Sequence, residues 1–460
     1  MVDAVVEFCS MQTRHNDWQS EMMLLPSIED RIPRDYYLRR MKDVLDLSFV
    51  HDMVRPLYCQ DNGRPSIDPE VIIRLFLLQA ITGIASVRQL LREADLHLGY
   101  RWFIGYGASE ALPDHSSLSR ALSRFGDGVF NEIFERSIAQ CRTSGLIDGR
   151  VLHIDATTIR ADLDRDRVDK PNSPDPDARF GRFPDGTKQP GFKQQTVVDD
   201  KSRVILAIDV LPANAAEGSN ATGALDKAAK RLEEPPEAMC ADSAYASGEN
   251  RAECEARGVR LVSPPRRARN HHSNEYFTIE RFTYDELRDM FICPAGKFLK
   301  KAGRGGSKPD RWKYRASQKD CGSCPLKSEC TKAPQRCVNV SGHHAALVRL
   351  REDSQSSEFQ VLYRRRAPVI EGLFAEAKQW HGLARATRRG LSKVRVQCLL
   401  VASVLNLKRL ASVIGSLANG MQVAVVKLSL LHSILRVFRR LFAATQRCLT
   451  FPSMPEPESI

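Results

Sequence analysis

Asp155, Asp242 and Glu371 are the side chains of this 460-residue sequence whose types and settings best suit chemistry. Asp155 closes the apolar run Val151-Leu152-His153-Ile154, Asp242 closes Ala238-Met239-Cys240-Ala241, and Glu371 opens the helix-like stretch from Glu371 to Lys378. A carboxylate at the end of a short apolar strand stands at the rim of a sheet, where it meets a ligand while its neighbours stay buried. Carboxylate oxygens are the ligands that hard divalent cations prefer. Two such ions about 4 Å apart activate an attacking oxygen and stabilise a leaving one in phosphoryl chemistry. Taken singly, each acid reads more simply as a surface charge; the surrounding sequence raises the set above that reading.

The elements that would position these acids follow from periodicity. Residues 1 to 34 show no clear period and read as a loosely held arm. Residues 35 to 148 read as a helical, DNA-binding domain. Pro69 follows the acidic cap Asp68 at a natural first helical position, a second helix starts at Ser86, and a third runs from Asp114 to Phe125. Leu118, Leu122 and Phe125 make its apolar stripe, opposite Ser, His and Arg, which suits a helix-turn-helix unit; a plain supporting bundle fits equally well. Beyond Gly149 the pattern becomes strand-like, with strands at 151–156, 192–198, 204–211, 238–242 and 259–262 and helices at 218–232 and 248–257. That is a mixed α/β sheet spanning 149–263. Asp162 to Gly191, rich in Asp, Arg, Pro and Gly, reads as an exposed loop. A basic insert follows over 264–357, helical periodicity returns over 358–415, and 416–460 is expected to hold a C-terminal helix and tail. No repeat at solenoid spacing is visible.

Charge narrows the class of partner. Lys and Arg number 68 against 56 acids, for a net charge of +12, which suggests a polyanion. Between Tyr363 and Arg409 eleven cations face only Glu371 and Glu376, so this stretch reads as a phosphate track, with Arg388, Arg389 and Lys393 in it. The N-terminus has no basic region followed by an apolar run, and Val396 to Leu407 is too short and too polar to span a bilayer. A cytoplasmic, nucleoid-associated protein without membrane contact is expected. In that compartment the 12 cysteines are better metal ligands than disulfides.

Gathered in order, His153-Ile154-Asp155-Ala156-Thr157, Ala241-Asp242-Ser243-Ala244-Tyr245 and the block from Tyr363 to Lys378 resemble the DDE transposases of bacterial insertion sequences. Gly390-Leu391-Ser392-Lys393-Val394, Asn406 to Leu410 and the segment around Asp68 to Phe76 resemble them too. The likeness runs from about residue 35 to 415 and is strongest to the subgroup with a cysteine-rich insert before the catalytic Glu helix. It implies an α/β, RNase H-like catalytic core in which Asp155, Asp242 and Glu371 hold two Mg²⁺ or Mn²⁺ ions. It also implies a Tyr, an Arg and a Lys around the glutamate, matched by Tyr363, Arg366 and Lys378. One departure stands out: the family separates its Arg and Glu by three residues, whereas Ala367, Pro368, Val369 and Ile370 lie between Arg366 and Glu371. Pro368 is expected to begin the helix, with Arg366 just outside it and Arg365 as a substitute.

The implied activity is DNA transposition: recognition of terminal inverted repeats in double-stranded DNA, cleavage by a water, and attack of the freed 3′ hydroxyl on target DNA by a homodimer or higher assembly. No nucleotide cofactor is needed, and Gly303 to Lys308 is a weak glycine match that reads as a flexible tip. Two rivals are an RNase H-like nuclease that cuts without joining and a domesticated zinc-containing DNA-binding protein whose acids are remnants.

In the insert, Cys293, Cys321, Cys324 and Cys330 suit a structural zinc site, with Cys337, His343 and His344 as alternative ligands. The other cysteines read as buried, inert thiols. His153 shares a side of its strand with Asp155 and either nears a phosphate or hydrogen-bonds a neighbour. Trp312, Tyr314 and Trp380 read first as packing residues and second as stacking platforms for an unpaired base.

Overall fold

The computed structural model describes residues 27–58, 66–266, 276–306 and 310–415. Most of the N-terminal arm, the C-terminal helix and tail beyond 415, Cys9, Cys59, Cys448 and the end of the glycine tip at Ser307-Lys308 lie outside the described residues.

The helical domain is organised around α1 (Pro69–Thr82), nine of whose residues are buried. The Asp68 carboxylate accepts from the Glu70 amide at 2.8 Å, Pro69 occupies the first turn where no donor is needed, and Gly83 at φ 69° ends the helix. After that turn α2 (Val87–Leu96) sets off at 94° to α1, its amides capped by Ser86. Two helices near a right angle joined by a short glycine turn have helix-turn-helix geometry. α3 (His115–Phe125) is capped by Asp114 and buries Leu118, Leu122 and Phe125, the stripe read from the sequence. α4 (Gly128–Thr143) packs on α1 through the edge-on pair Phe76 and Phe130, 5.9 Å apart.

The mixed sheet contains β1 (Val151–Arg160), β2 (Arg179–Arg182), β3 (Lys188–Asp199), β4 (Ile205–Pro212), β5 (Ala238–Cys240) and β6 (Arg260–Val262). β3 lies antiparallel between β1 and β4, while β5 pairs parallel to β1 and β6 parallel to β5. The short strand β2 pairs with the start of β3. α5 (Ala221–Ala229) and α6 (Gly248–Ala256) are the crossover helices that parallel neighbours require.

The segment 162–191 is not the open loop expected. It contains β2, buries Asp175, and sends the carboxylates of Asp175 and Asp177 to the amides of Gly390 and Leu391 at 3.1 and 2.9 Å. These acids cap the start of a helix 215 residues away, a long-range role invisible in local composition.

The insert folds as a second sheet, antiparallel throughout, whose strands the sequence pattern did not reveal. β7 (Thr283–Asp285), β8 (Met290–Ile292), β9 (Phe298–Arg304), β10 (Arg311–Ala316) and β11 (Cys337–Ser341) lie side by side in the order β11-β10-β9-β8-β7. Phe282, Phe291, Leu299, Tyr314, Val338 and Val340 form its own core.

Helical structure resumes at α7 (His344–Asp353), which binds α6 through Arg349–Glu255 and Arg251–Asp353 ion pairs at 2.7 and 2.9 Å. α8 (Ser357–Arg366) and α9 (Gly372–Trp380) are joined by a π turn over Ala367–Glu371. α10 (Leu391–Gly415) is longer than the apolar run in the sequence and, by length and composition, apolar enough to cross a bilayer. Two-thirds of that apolar window is buried inside the protein, as in a core helix. Asn406 on α10 both accepts from the Ile205 amide and donates to its carbonyl, at 2.8 and 3.0 Å, which ties α10 to β4.

Candidate active site

Strand register brings the first two acids together. β1 and β5 run parallel with Leu152 opposite Met239 and His153 opposite Cys240, so two residues further on Asp155 and Asp242 come level. Neighbouring strands lie roughly 4.8 Å apart, which places both carboxylates on adjacent chains at the same height and on the same face. Each is fixed locally: Asp155 accepts from the Ala156 amide at 2.8 Å, and Asp242 accepts from the Ala244 amide at 2.8 Å.

The third acid arrives on the π turn. Glu371 is its last residue, with its side chain 62 % exposed, and Arg366 spans the gap. One guanidinium nitrogen of Arg366 donates to Asp155 at 2.5 Å and the other lies 3.6 Å from Glu371. Arg366 therefore sits inside a continuous helical run, not ahead of it, and Pro368 does not start the helix. On an uninterrupted α-helix, residues five apart would point about 140° away from each other. The i→i+5 bonding of a π turn absorbs one residue, so Arg366 and Glu371 recover the relation that four α-helical steps would give. The same turn tolerates Pro368, which lacks the amide a regular helix would use. Arg365 points elsewhere, to Asp200, the residue that also pairs with buried His153 at 2.8 Å. His153 thus braces a neighbour from behind the acids.

The electrostatics fit a cation site. Burial pushes the Asp155 carboxyl up to about 6, against the pull of Arg366 and with help from the nearby charges of Asp242 and Glu217. Glu217, missed in the sequence, pairs with Lys193 at 3.0 Å, and buried Tyr245 accepts from Gln195 at 3.1 Å beside them. Nothing in the local pattern around Glu217 marks it; only the packing of the segment after β4 on β3 brings it here.

Tyr363 stacks on Phe359, with ring centroids 6.3 Å apart, and packs against the cluster that includes Cys240 and Val262. Lys378 lies seven residues beyond Glu371, half-buried, its ammonium held below the usual range by burial and by Arg160. Among the described residues no carboxylate pairs with it. Arg389 and Lys393 are exposed, whereas Arg388 is half-buried against Phe76, 5.2 Å from its ring, and donates to Gln79 at 3.1 Å. Arg388 is thus no solvated track residue: burial with no neighbouring acid lowers its guanidinium to about 10.

Cys293, Cys321, Cys324 and Cys330 line one small cavity in the insert. Burial raises the Cys330 thiol, and the other three thiols add to the effect. Among the described residues no three His, Cys, Asp or Glu side chains are close enough to hold a metal ion. The alternative ligands lie elsewhere: Cys337 is in β11 and does not line the cavity, His343 is exposed, and His344 is packed among Tyr284 and Phe291, where burial lowers it to about 4. Tyr314 is a core residue bonded to Asp289, Trp312 is covered by Lys301 and Arg304, and Trp380 is exposed. Cys141, Cys240, Cys254 and Cys398 are buried free thiols.

Residues 292–411 match the family model described as a transposase DDE domain, and residues 26–124 match the transposase domain DUF772. Among solved structures the chain is similar to a piggyBac transposase synaptic complex with hairpin DNA, at 12 % identity over 82 % of this chain and 74 % of that one, with a TM-score of 0.39. It also matches a Mos1 transposase paired-end complex with the left transposon end, at 13 % identity over 44 % of this chain and 61 % of that one (TM-score 0.16). A Mos1 strand transfer complex matches at 12 % identity over 71 % and 80 % (TM-score 0.17). No curated protein matches in sequence. The matches to a transposase DDE domain over residues 292–411 and to a DUF772 transposase domain over residues 26–124 are typical of insertion-sequence transposases and support a DNA transposase function for the chain.

Proposed function

We propose that this transposase binds the terminal inverted repeats of an insertion sequence, cuts there, and joins the freed ends to target DNA, using Asp155, Asp242 and Glu371 of an RNase H-like core. The observation that carries this reading is the parallel register that levels Asp155 with Asp242, together with the bridge of Arg366 from Asp155 to Glu371. The antiparallel strands β1, β3 and β4 followed by the parallel strands β5 and β6, with acids on β1, after β5 and at the start of a later helix, support the RNase H-like assignment.

Carboxylates are the ligands that Mg²⁺ or Mn²⁺ prefers, and the Arg366 guanidinium already finds a favourable negative field between Asp155 and Glu371, although among the described residues the three acids do not stand close enough together to form a ready-made metal site. A pair of such ions, when bound, supplies the activation of the attacking oxygen and the stabilisation of the leaving one. The chain's own groups do the rest. Asp155 and Asp242 hold a rigid edge because the backbone amides of Ala156 and Ala244 fix them. Arg366 orients Asp155 and Glu371. Lys378, with no carboxylate partner among the described residues and on the Glu371 face two turns along, holds a phosphate oxygen. Arg389 and Lys393 steer DNA as exposed cations. The four insert cysteines are of the right kind for one structural zinc, which would tie the turn between β8 and β9 to the segment between β10 and β11. Both DNA ends must be held together, which favours a homodimer or larger assembly on DNA in the bacterial nucleoid.

The test is a strand-transfer assay with DNA from the flanks of the encoding gene, Mg²⁺ and a plasmid target. Joined products support this reading. Cleaved ends that are never joined favour the nuclease alternative, and DNA binding without cleavage under any divalent ion favours a domesticated binding protein.

A further inference from the structure

A groove of about 760 Å³ opens between the helical domain and the loop that follows the Glu371 helix. One wall is the start of α2 and the exposed side of α3, with Arg88, His115 and Ser119. The other wall carries Arg385, Arg389 and Lys393. Arg388 forms its floor, and Asp162 is the single carboxylate among the lining residues. Asp162 is already paired with Arg385 and lies 3.7 Å from Arg389, so the groove keeps a net positive charge.

Two details indicate a site built for anions. The Arg388 guanidinium is half-buried and bonded only to neutral oxygens, Thr387 Oγ1 at 3.4 Å and Gln79 Oε1 at 3.1 Å, so its charge is uncompensated. A buried cation without an acid costs free energy that a phosphate recovers. On the facing wall the Asp114 carboxylate lies 3.1 Å from His115 Nδ1, which assigns the proton there and leaves Nε2 to accept from Arg88 at 3.0 Å. Arg88 is thereby aimed while its charge stays unneutralised.

The groove also has a fixed relation to the acids. β1 runs from Asp155 to Arg160, and Arg160 is bonded to the groove loop: its amide donates to Ala384 and its carbonyl accepts from Ala386, at 3.1 and 2.7 Å. Five residues of strand span about 17 Å, the length of roughly five base pairs at 3.4 Å each. Arg160 and the free Lys378 ammonium are electrostatic neighbours on the way.

We propose that this groove clamps the sugar-phosphate backbone of duplex DNA between the two domains, with Arg388 as its deepest phosphate ligand, on the stretch centred about five base pairs from the phosphate at Asp155. The clamp couples the domain that recognises DNA to the core that cuts it, and β1 sets the spacing. This rests on the transposase reading for the identity of the cut phosphate, but not for binding itself.

Binding is measured by fluorescence anisotropy with the full chain, a 20-base-pair duplex of arbitrary sequence and EDTA, across a salt series. Arg88→Ala, Arg389→Ala and Lys393→Ala are each expected to reduce the slope of log affinity against log salt by about one, the value for one lost phosphate contact. Arg388→Lys, which keeps the charge and the fold, is expected to weaken binding severalfold because a compact ammonium cannot replace the planar fork. Lys300→Ala on the remote β9 serves as the control. Unchanged slopes in the groove variants, or a control as damaging as they are, overturn the clamp. The spacing is read by neutral methylphosphonate substitution along an end duplex. Interference centred about five base pairs from the cut supports the β1 ruler, and a centre more than ten away overturns it. Absence of cutting with the slopes reduced as expected would remove the catalytic reading and leave the clamp standing.

Discussion

Replacing Arg366 by Met separates the two jobs its charge performs. Its side chain is 9 % exposed and that of Asp155 14 %, so solvent screens their contact little. At 2.5 Å and an effective dielectric near 20, the attraction is roughly 7 kcal/mol, much of it offset by the cost of burying both groups. Removing one partner of such a pair costs on the order of 3 to 5 kcal/mol, because the other charge is left buried. Asp155 then has only the like charges of Asp242 and Glu217 for company, so its carboxyl rises further above about 6. In EDTA at pH 7.5 the variant is expected to melt about 3 to 5 °C below the parent, given an unfolding entropy of roughly 1 kcal/mol/K for a chain of this length. Saturating Mg²⁺ or Mn²⁺ is expected to return much of that loss, since a divalent ion between the acids replaces the missing positive charge and binds the folded state alone. The assay is differential scanning calorimetry of both proteins with and without the ion. Equal melting temperatures in EDTA would refute the energetic role of Arg366. A metal-induced rise no larger in the variant than in the parent would refute the idea that cation and guanidinium answer the same carboxylates.

Deleting Pro368 should convert the π turn into regular helix with three residues between Arg366 and Glu371, so cutting should persist and the helix should gain about 1 to 3 kcal/mol; deleting Ala375 instead swings Lys378 by about 100° and should abolish cutting in a protein that still melts cooperatively. Gel assays and melting curves on the pair decide it, and an inactive but folded Pro368 deletion counts against the register argument. Glu376 is held well below its ordinary value of 4.5 by His381, Arg409 and Lys408, so its contribution is full above pH 4.5 and drains away as pH falls toward the folded value. Glu376→Gln should therefore cost on the order of 2 to 4 kcal/mol at pH 7 and lessen the acid-induced loss of stability; urea titrations from pH 7 to 3 that run parallel for both proteins would contradict this. If the four insert cysteines hold zinc, purified protein should contain about one equivalent by plasma emission spectrometry and Cys324→Ser should lose it with a lowered melting temperature, whereas a metal-free parent of equal stability removes the zinc reading.

What could be read from residues alone follows from where the physics is local. Asp242 lies just past the short apolar strand β5, and the caps Asp68, Ser86 and Asp114 sit immediately before apolar stripes; in each case the signal and the structure it forms are neighbours in sequence, whereas Asp155, expected to close its strand, lies in the middle of β1, which pairs with β3 as far as Arg160. Asp175 and Asp177 looked like loop acids because their partners, the amides of Gly390 and Leu391, are more than 200 residues away. The strands of the insert escaped notice for a different reason. β9 reads Phe-Leu-Lys-Lys-Ala-Gly-Arg and buries only Leu299, so its alternation is swamped by exposed cations. Arg388 was counted with its exposed neighbours because composition records a charge without recording what covers it. The extra residue between Arg366 and Glu371 was visible, but its remedy was not: a π turn has no sequence signature apart from the packing that demands it.

The most direct measurement of the central claim is metal-dependent cleavage of end DNA by the parent and by Asp155→Ala, Asp242→Ala and Glu371→Ala, each first shown to bind the same DNA in EDTA. The account predicts that all three bind as the parent does and cut at background in Mg²⁺ and in Mn²⁺. A variant that cuts at the parental rate would contradict it.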